Sequence, residues 1–117
     1  MSGIELISFD LKNADLSGSN LTGANLSRVD LTEANLTNAN LTNVNLVSAI
    51  LTDTILVNAN LSGVKLSYAN ISGADISGSK LVGASMNSAK IVNSKISNSD
   101  MTGANLHSAN LSRNKNY

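Results

Sequence analysis

Every fifth residue from Leu6 to Leu111 is Leu, Ile or Met, 22 positions without an exception. With an apolar fraction of 42%, chance would produce such a run about once in 10⁸ draws. Few folds accept so short a period. An α-helix advances about 100° per residue, so successive members of this column would be displaced by about 140° and form no stripe. A straight strand would send them alternately to opposite faces, because five is odd. The chain must therefore turn a corner in every repeat, so that each large aliphatic side chain points again at a common axis.

The other four columns agree with this reading. Two residues before each aliphatic centre stands a small group, such as Ala24, Ala34, Ala39, Ala59 or Ala84, with Ser or Val elsewhere. One before it is mostly Asn or Asp, and one after it mostly Ser or Thr. Two after it come all eight glycines, joined by Asn13, Asn38, Asn43, Asn58, Asn93 and Asn98. Gly and Asn tolerate positive φ, which is corner chemistry. Arg28, Glu33 and Tyr68 are poor turn formers in the same column, which leaves two alternating turn types open.

The segments Ala24-Asn25-Leu26-Ser27-Arg28, Ala34-Asn35-Leu36-Thr37-Asn38 and Ala39-Asn40-Leu41-Thr42-Asn43 closely resemble the A(D/N)LXX motif of pentapeptide-repeat proteins. The resemblance covers residues 4 to about 113 and implies an all-β fold, a right-handed quadrilateral parallel β-helix with four pentapeptides per coil. Centres and small residues would face the axis. The chain of 117 residues is then one domain with an irregular tail over 114–117. It would form about 5–6 coils without a capping helix, a rod roughly 26 Å long at about 4.8 Å per coil. Residues twenty apart would stack, with Leu21, Leu41, Leu61, Leu81 and Met101 along one side, and Asn20, Asn40 and Asn60 forming amide ladders outside.

Chemistry is sparse in these columns. The single histidine, His107, falls in an outward column beside Ser108 and Asn110. Asp10, Asp15 and Asp30 occupy a motif column rather than a cleft, and the glycines recur at multiples of five rather than in a phosphate-loop spacing. Cysteine is absent, which removes disulfides and thiolate chemistry. The expectation is a protein without catalytic residues, metal site or cofactor. Asn20-Leu21-Thr22 and Asn35-Leu36-Thr37 match the N-glycosylation pattern only because the repeat writes that tripeptide. The opening Met1-Ser2-Gly3-Ile4-Glu5 has neither a basic n-region nor an apolar h-region, and no apolar run approaches a membrane span. A cytoplasmic location is expected.

Departures from the motif mark the candidate sites. Ile50 and Ile55 stand where Asn or Asp belongs, and Val57 beside Ile55 and Val47 stand where Ser or Thr belongs, so an apolar spot interrupts a polar surface. Lateral association of two copies through Ile50, Ile55 and Val57 is the specific expectation. Ile4 and Phe9 are large where the column asks for Ala and are expected to fold over the N-terminal coil as a plug. Met101, Leu106 and Leu111 would line an uncovered C-terminal coil, whose open edge suits end-to-end oligomers. Charge is also polarised. Residues 1–58 carry six acids and two bases, and residues 59–117 two acids and six bases, so net −4 faces net +4.

Well-understood members of the family imitate duplex DNA and bind type II topoisomerases, a property carried by a strongly acidic side. The resemblance therefore implies DNA gyrase as an alternative partner, which zero net charge disfavours. Nucleic-acid binding through Lys65, Lys80, Lys90 and Lys95 lacks stacking aromatics other than Tyr68. The leading expectation is a non-catalytic structural and interaction rod, a protein-binding scaffold for a partner outside the sequence's reach.

Overall fold

The computed structural model describes residues 2–114. They form one right-handed quadrilateral β-helix, in which parallel bridges join residues twenty apart from Glu5–Asn25 to Lys90–Asn110. The twenty-residue step gives four sides. The first is centred on Leu6, Leu26, Leu46, Leu66, Met86 and Leu106, the second on Leu11, Leu31, Leu51, Ile71, Ile91 and Leu111. The third carries Leu16, Leu36, Leu56, Ile76 and Ile96, and the fourth Leu21, Leu41, Leu61, Leu81 and Met101. The molecule measures 31 × 23 × 20 Å.

Nearly every corner is closed by a short turn, as where the Ala24 amide donates to the Leu21 carbonyl at 2.9 Å, the corner at Asn93 being an exception. The residue just before the closing amide has φ between 57° and 74° at every corner from Gly3 to Arg113. Positive φ confined to the third residue of a turn is the type II geometry. Two alternating turn types therefore do not occur: Arg28, Glu33 and Tyr68 take the same left-handed conformation, at 57°, 60° and 62°. Inter-coil hydrogen bonds favour it at these positions, where the corner amide is held by the coil above, Arg28 by the Val47 carbonyl and Glu33 by that of Thr52. Such pairing overrides a residue preference of about 1–2 kcal/mol.

Inside, the centres and small residues of the middle coils are almost wholly buried, from Leu21 to Ile91. Val29, Val44 and Val64 fit the small column with no exposure at all. Thr54 and Ser94 also point inward, and their hydroxyls donate to the carbonyls of Leu31 and Ile71 in the preceding coil, each at 2.7 Å. Burying a hydroxyl is tolerable there because a carbonyl is in reach.

The ends are looser. Ile4 packs partly on the core, but Phe9 is 53% exposed and does not plug the axis. Its column admits groups up to valine in the coil above, where Val29 lies, so a phenyl ring is left outside. At the other end Met101 and Leu106 are partly buried and Leu111 is 40% exposed. Asn114 does not begin the tail but continues the inward column. Its Oδ1 accepts the Ser94 amide at 3.0 Å, a group that closes no turn of its own. Residues 115–117, the remainder of that expected tail, lie outside the described residues.

Candidate functional site

With the axis filled by aliphatic side chains, the outer sides are where this fold can meet another molecule. Two outward columns run up each side, flanking the buried centre. In the Asn/Asp column the side-chain oxygen does not bond up the stack as a ladder. It accepts the backbone amide two residues on, as Asn20 does from Thr22 at 3.1 Å and Asp75 from Ser77 at 3.0 Å. Often the hydroxyl of that residue donates too, Thr42 to Asn40 at 2.7 Å being one case. The amide in question points outward and has no partner in the neighbouring coil, so the nearby side-chain oxygen captures it. Stacking is left to the backbone bridges, with occasional help such as the Ser67 hydroxyl donating to Asn87 Oδ1 at 2.6 Å.

The same bonds act on the carboxylates. Asp15, Asp30 and Asp100 have pKa values lowered from the ordinary 3.8, chiefly because the hydroxyls of Ser17, Thr32 and Thr102 donate to the ionised form. In each, Oδ1 accepts both the hydroxyl and the amide two residues on. Among the described residues no three His, Cys, Asp or Glu side chains converge as metal ligands, and no cleft opens between the sides. His107 lies exposed on the first side, its backbone amide donating to Asn105 Oδ1 at 3.0 Å.

Ile50 and Ile55 are each 40% exposed and sit on adjacent sides. Ile50 bridges Asp30 and Asn70 on the second, while Ile55 bridges Asn35 and Asp75 on the third, with Val57 beside it. The corner at Asp53 separates the two sides. Neither isoleucine can accept the outward amide of Thr52 or Val57, a bond worth about 1 kcal/mol that Asn or Asp supplies in most repeats and that Lys65, Lys80, Ser85, Lys90 and Lys95 also forgo. Two consecutive repeats thus forgo a stabilising local contact to display aliphatic groups.

Charge is uneven around the circumference, which reading along the chain missed. Of the eight acids, Asp10 and Asp30 are on the second side, Asp15 and Asp75 on the third, and Glu33 and Asp53 at the corner between them. Lys90 and Lys95 follow on the same two sides toward the C-terminal end. The signal was present in the remainder of each residue number on division by twenty. The one ion pair among the described residues, Lys12–Asp10 at 3.7 Å, is exposed and weak.

A solenoid that turns four corners per coil, each coil stacked on its neighbours, is a repeat protein. The family model for pentapeptide repeats matches residues 10–46, 45–83 and 84–113, and the chain belongs to the pentapeptide-repeat family. It is similar to a pentapeptide repeat protein of the Arabidopsis thaliana thylakoid lumen, at 33% identity and TM-score 0.76 over 78% of this chain, and spans 63% of that protein's length. It is also similar to the pentapeptide repeat protein Rfr23 of the cyanobacterium Cyanothece, at 25% identity and TM-score 0.55, covering 97% of this chain and 91% of the other. No curated protein matches the chain in sequence. No helix among the described residues is long and apolar enough to cross a membrane.

Proposed function

We propose that this protein is a non-catalytic interaction rod whose second and third sides bind other proteins. The observation that carries the reading is the pair Ile50 and Ile55, exposed at mid-rod in positions where Asn or Asp would hold the next corner. Other departures in this column, Lys65, Lys80, Ser85, Lys90 and Lys95, are polar, whereas these two turn aliphatic groups to solvent in consecutive repeats, a local inconsistency of the kind that accompanies function. Acids and lysines bordering the aliphatic groups supply a polar rim, the usual surround of a protein contact.

The test is site-specific photo-crosslinking in cells, with a benzophenone side chain at residue 45, 50, 55 or 60, one per side near the same height. Protein adducts at 50 or 55, and few at 45 or 60, are expected. Equal labelling on all four sides, or none on any, would remove the reading. Imitation of DNA toward gyrase needs acids along a whole side. Here they give way to Lys90 on the second side and Lys95 on the third, which argues against it.

A further inference from the structure

We infer that the third side is a self-complementary surface, and that its partner is a second copy of this chain lying antiparallel against it. This deepens the interaction-rod reading and rests on it. The outward column of that side runs Asp15, Asn35, Ile55, Asp75, Lys95, joined in order by parallel bridges. Ile55 is its midpoint. A two-fold axis crossing the rod at Ile55 sets Asp15 of one copy against Lys95 of the other, and Lys95 against Asp15. It sets Asn35 against Asp75, an amide donor facing a carboxylate, and Ile55 against its own counterpart. The second outward column obeys the same axis: Val57 meets Val57, and the hydroxyl residues Thr37 and Ser77 meet each other. The two-fold axis thus leaves an aliphatic centre with two charge pairs at its ends, the isologous arrangement of most homodimers.

The alternatives are poorer on the same grounds. A parallel pairing keeps equal heights together, so the two Asp15 side chains lie near each other at one end and the two Lys95 side chains at the other, with no opposite charge between the copies, which costs affinity through like charge. On the second side an axis through Ile50 pairs Asp10 with Lys90 but lays Lys12 on Val92, and Lys12 already bonds Asp10 at 3.7 Å. The first side has Asn45 and Lys65 where an aliphatic centre is needed, and the exposed ring of Tyr68 at its edge. A whole side of a rod 31 by 20 Å offers roughly 600 Å² per copy, near the lower bound for a specific interface. The dimer is accordingly weak and concentration-dependent.

Sedimentation equilibrium of the intact chain, from about 5 to 500 µM in low salt, tests this, because a contact of this size falls in the micromolar range. A monomer–dimer equilibrium is expected. The variant I55N/V57T restores the motif residues, so its circular dichroism stays that of the folded rod while dimerisation weakens by about tenfold or more. D15K and K95D each place two like-charge pairs in the interface and weaken it by about tenfold. The double variant D15K/K95D exchanges the partners and recovers affinity to within about threefold of the parent. A monomer throughout the range, a dimer indifferent to I55N/V57T, or a double variant no tighter than the single ones overturns the proposal. Photo-adducts at residue 55 to other proteins only, with a monomer in solution, would sink this inference and leave the interaction rod standing.

Discussion

Asp15, Asp30 and Asp100 show how a surface carboxylate becomes structural in this fold. Each is held below the usual value by the hydroxyl and amide two residues on, so the folded rod binds fewer protons there than the unfolded chain. The resulting stability is complete above the ordinary carboxylate pKa of about 3.9 and is lost as pH falls through the lowered values. Replacing all three by Asn keeps the oxygen acceptor and removes the proton. That triple variant is expected to show a flatter fall in urea midpoint between pH 4 and pH 2 than the parent. A second residue-scale contrast lies in the glycine corners. A Cβ at Gly73 would strike the Asp53 carboxylate of the coil before, whereas one at Gly83 meets open space. Both have positive φ, 74° and 69°, so Gly83→Ala is expected to cost about 1 kcal/mol and Gly73→Ala measurably more in thermal melts. Positive φ at Gly73 was readable from its column. That a neighbour's carboxylate occupies the space was not, because it depends on the rotamer Asp53 takes one coil away.

A coil is the unit at the next scale, and its stability is shared with its two neighbours. Leu61, 1% exposed in the fourth side, has coils above and below, while Leu111 at 40% lacks that enclosure. Leu61→Lys is expected to abolish the cooperative thermal transition or lower it severely, since a buried unpaired charge costs several kcal/mol. Leu111→Lys should shift it by about 0.5 kcal/mol or less. A melt unmoved by Leu61→Lys would reject the core assignment. The inward and outward columns were legible in the sequence because the period alone decides which side chains reach the axis. Phe9 was misjudged since its column predicts direction and not whether a ring fits, and the amide ladders failed because backbone amides two residues away compete better for the same oxygens. Asn114 departs from the small-residue column, yet its Oδ1 accepts the Ser94 amide, whereas the hydroxyls of Thr54 and Ser94 in that column donate to carbonyls.

For the whole molecule, the zero net charge conceals a surface patterned in two directions. The lengthwise division was plain in the sequence. The division around the circumference emerges only when residues twenty apart are read together, which gathers six of the eight acids on two sides and the corner they share. An acid-rich side interrupted by lysines cannot copy an unbroken phosphate ladder. Added at about 50 µM to a gyrase supercoiling assay, with and without a quinolone, the protein is expected to change neither activity nor drug inhibition. Inhibition or protection at that concentration would restore the topoisomerase reading.

The bridges between residues twenty apart have a consequence for how such a chain can change over time. Removing or adding any multiple of five residues keeps the lumen intact, because the corner grammar resumes at once. Only multiples of twenty also preserve which surface residue lies over which. A single lost pentapeptide between Ile55 and Asp75 would leave a folded rod in which Ile55 no longer sits in line with Asp75 and Lys95. Small indels can therefore redraw the outer faces wholesale while the framework survives, so length variation is a route to new binding partners that does not first pass through an unfolded protein.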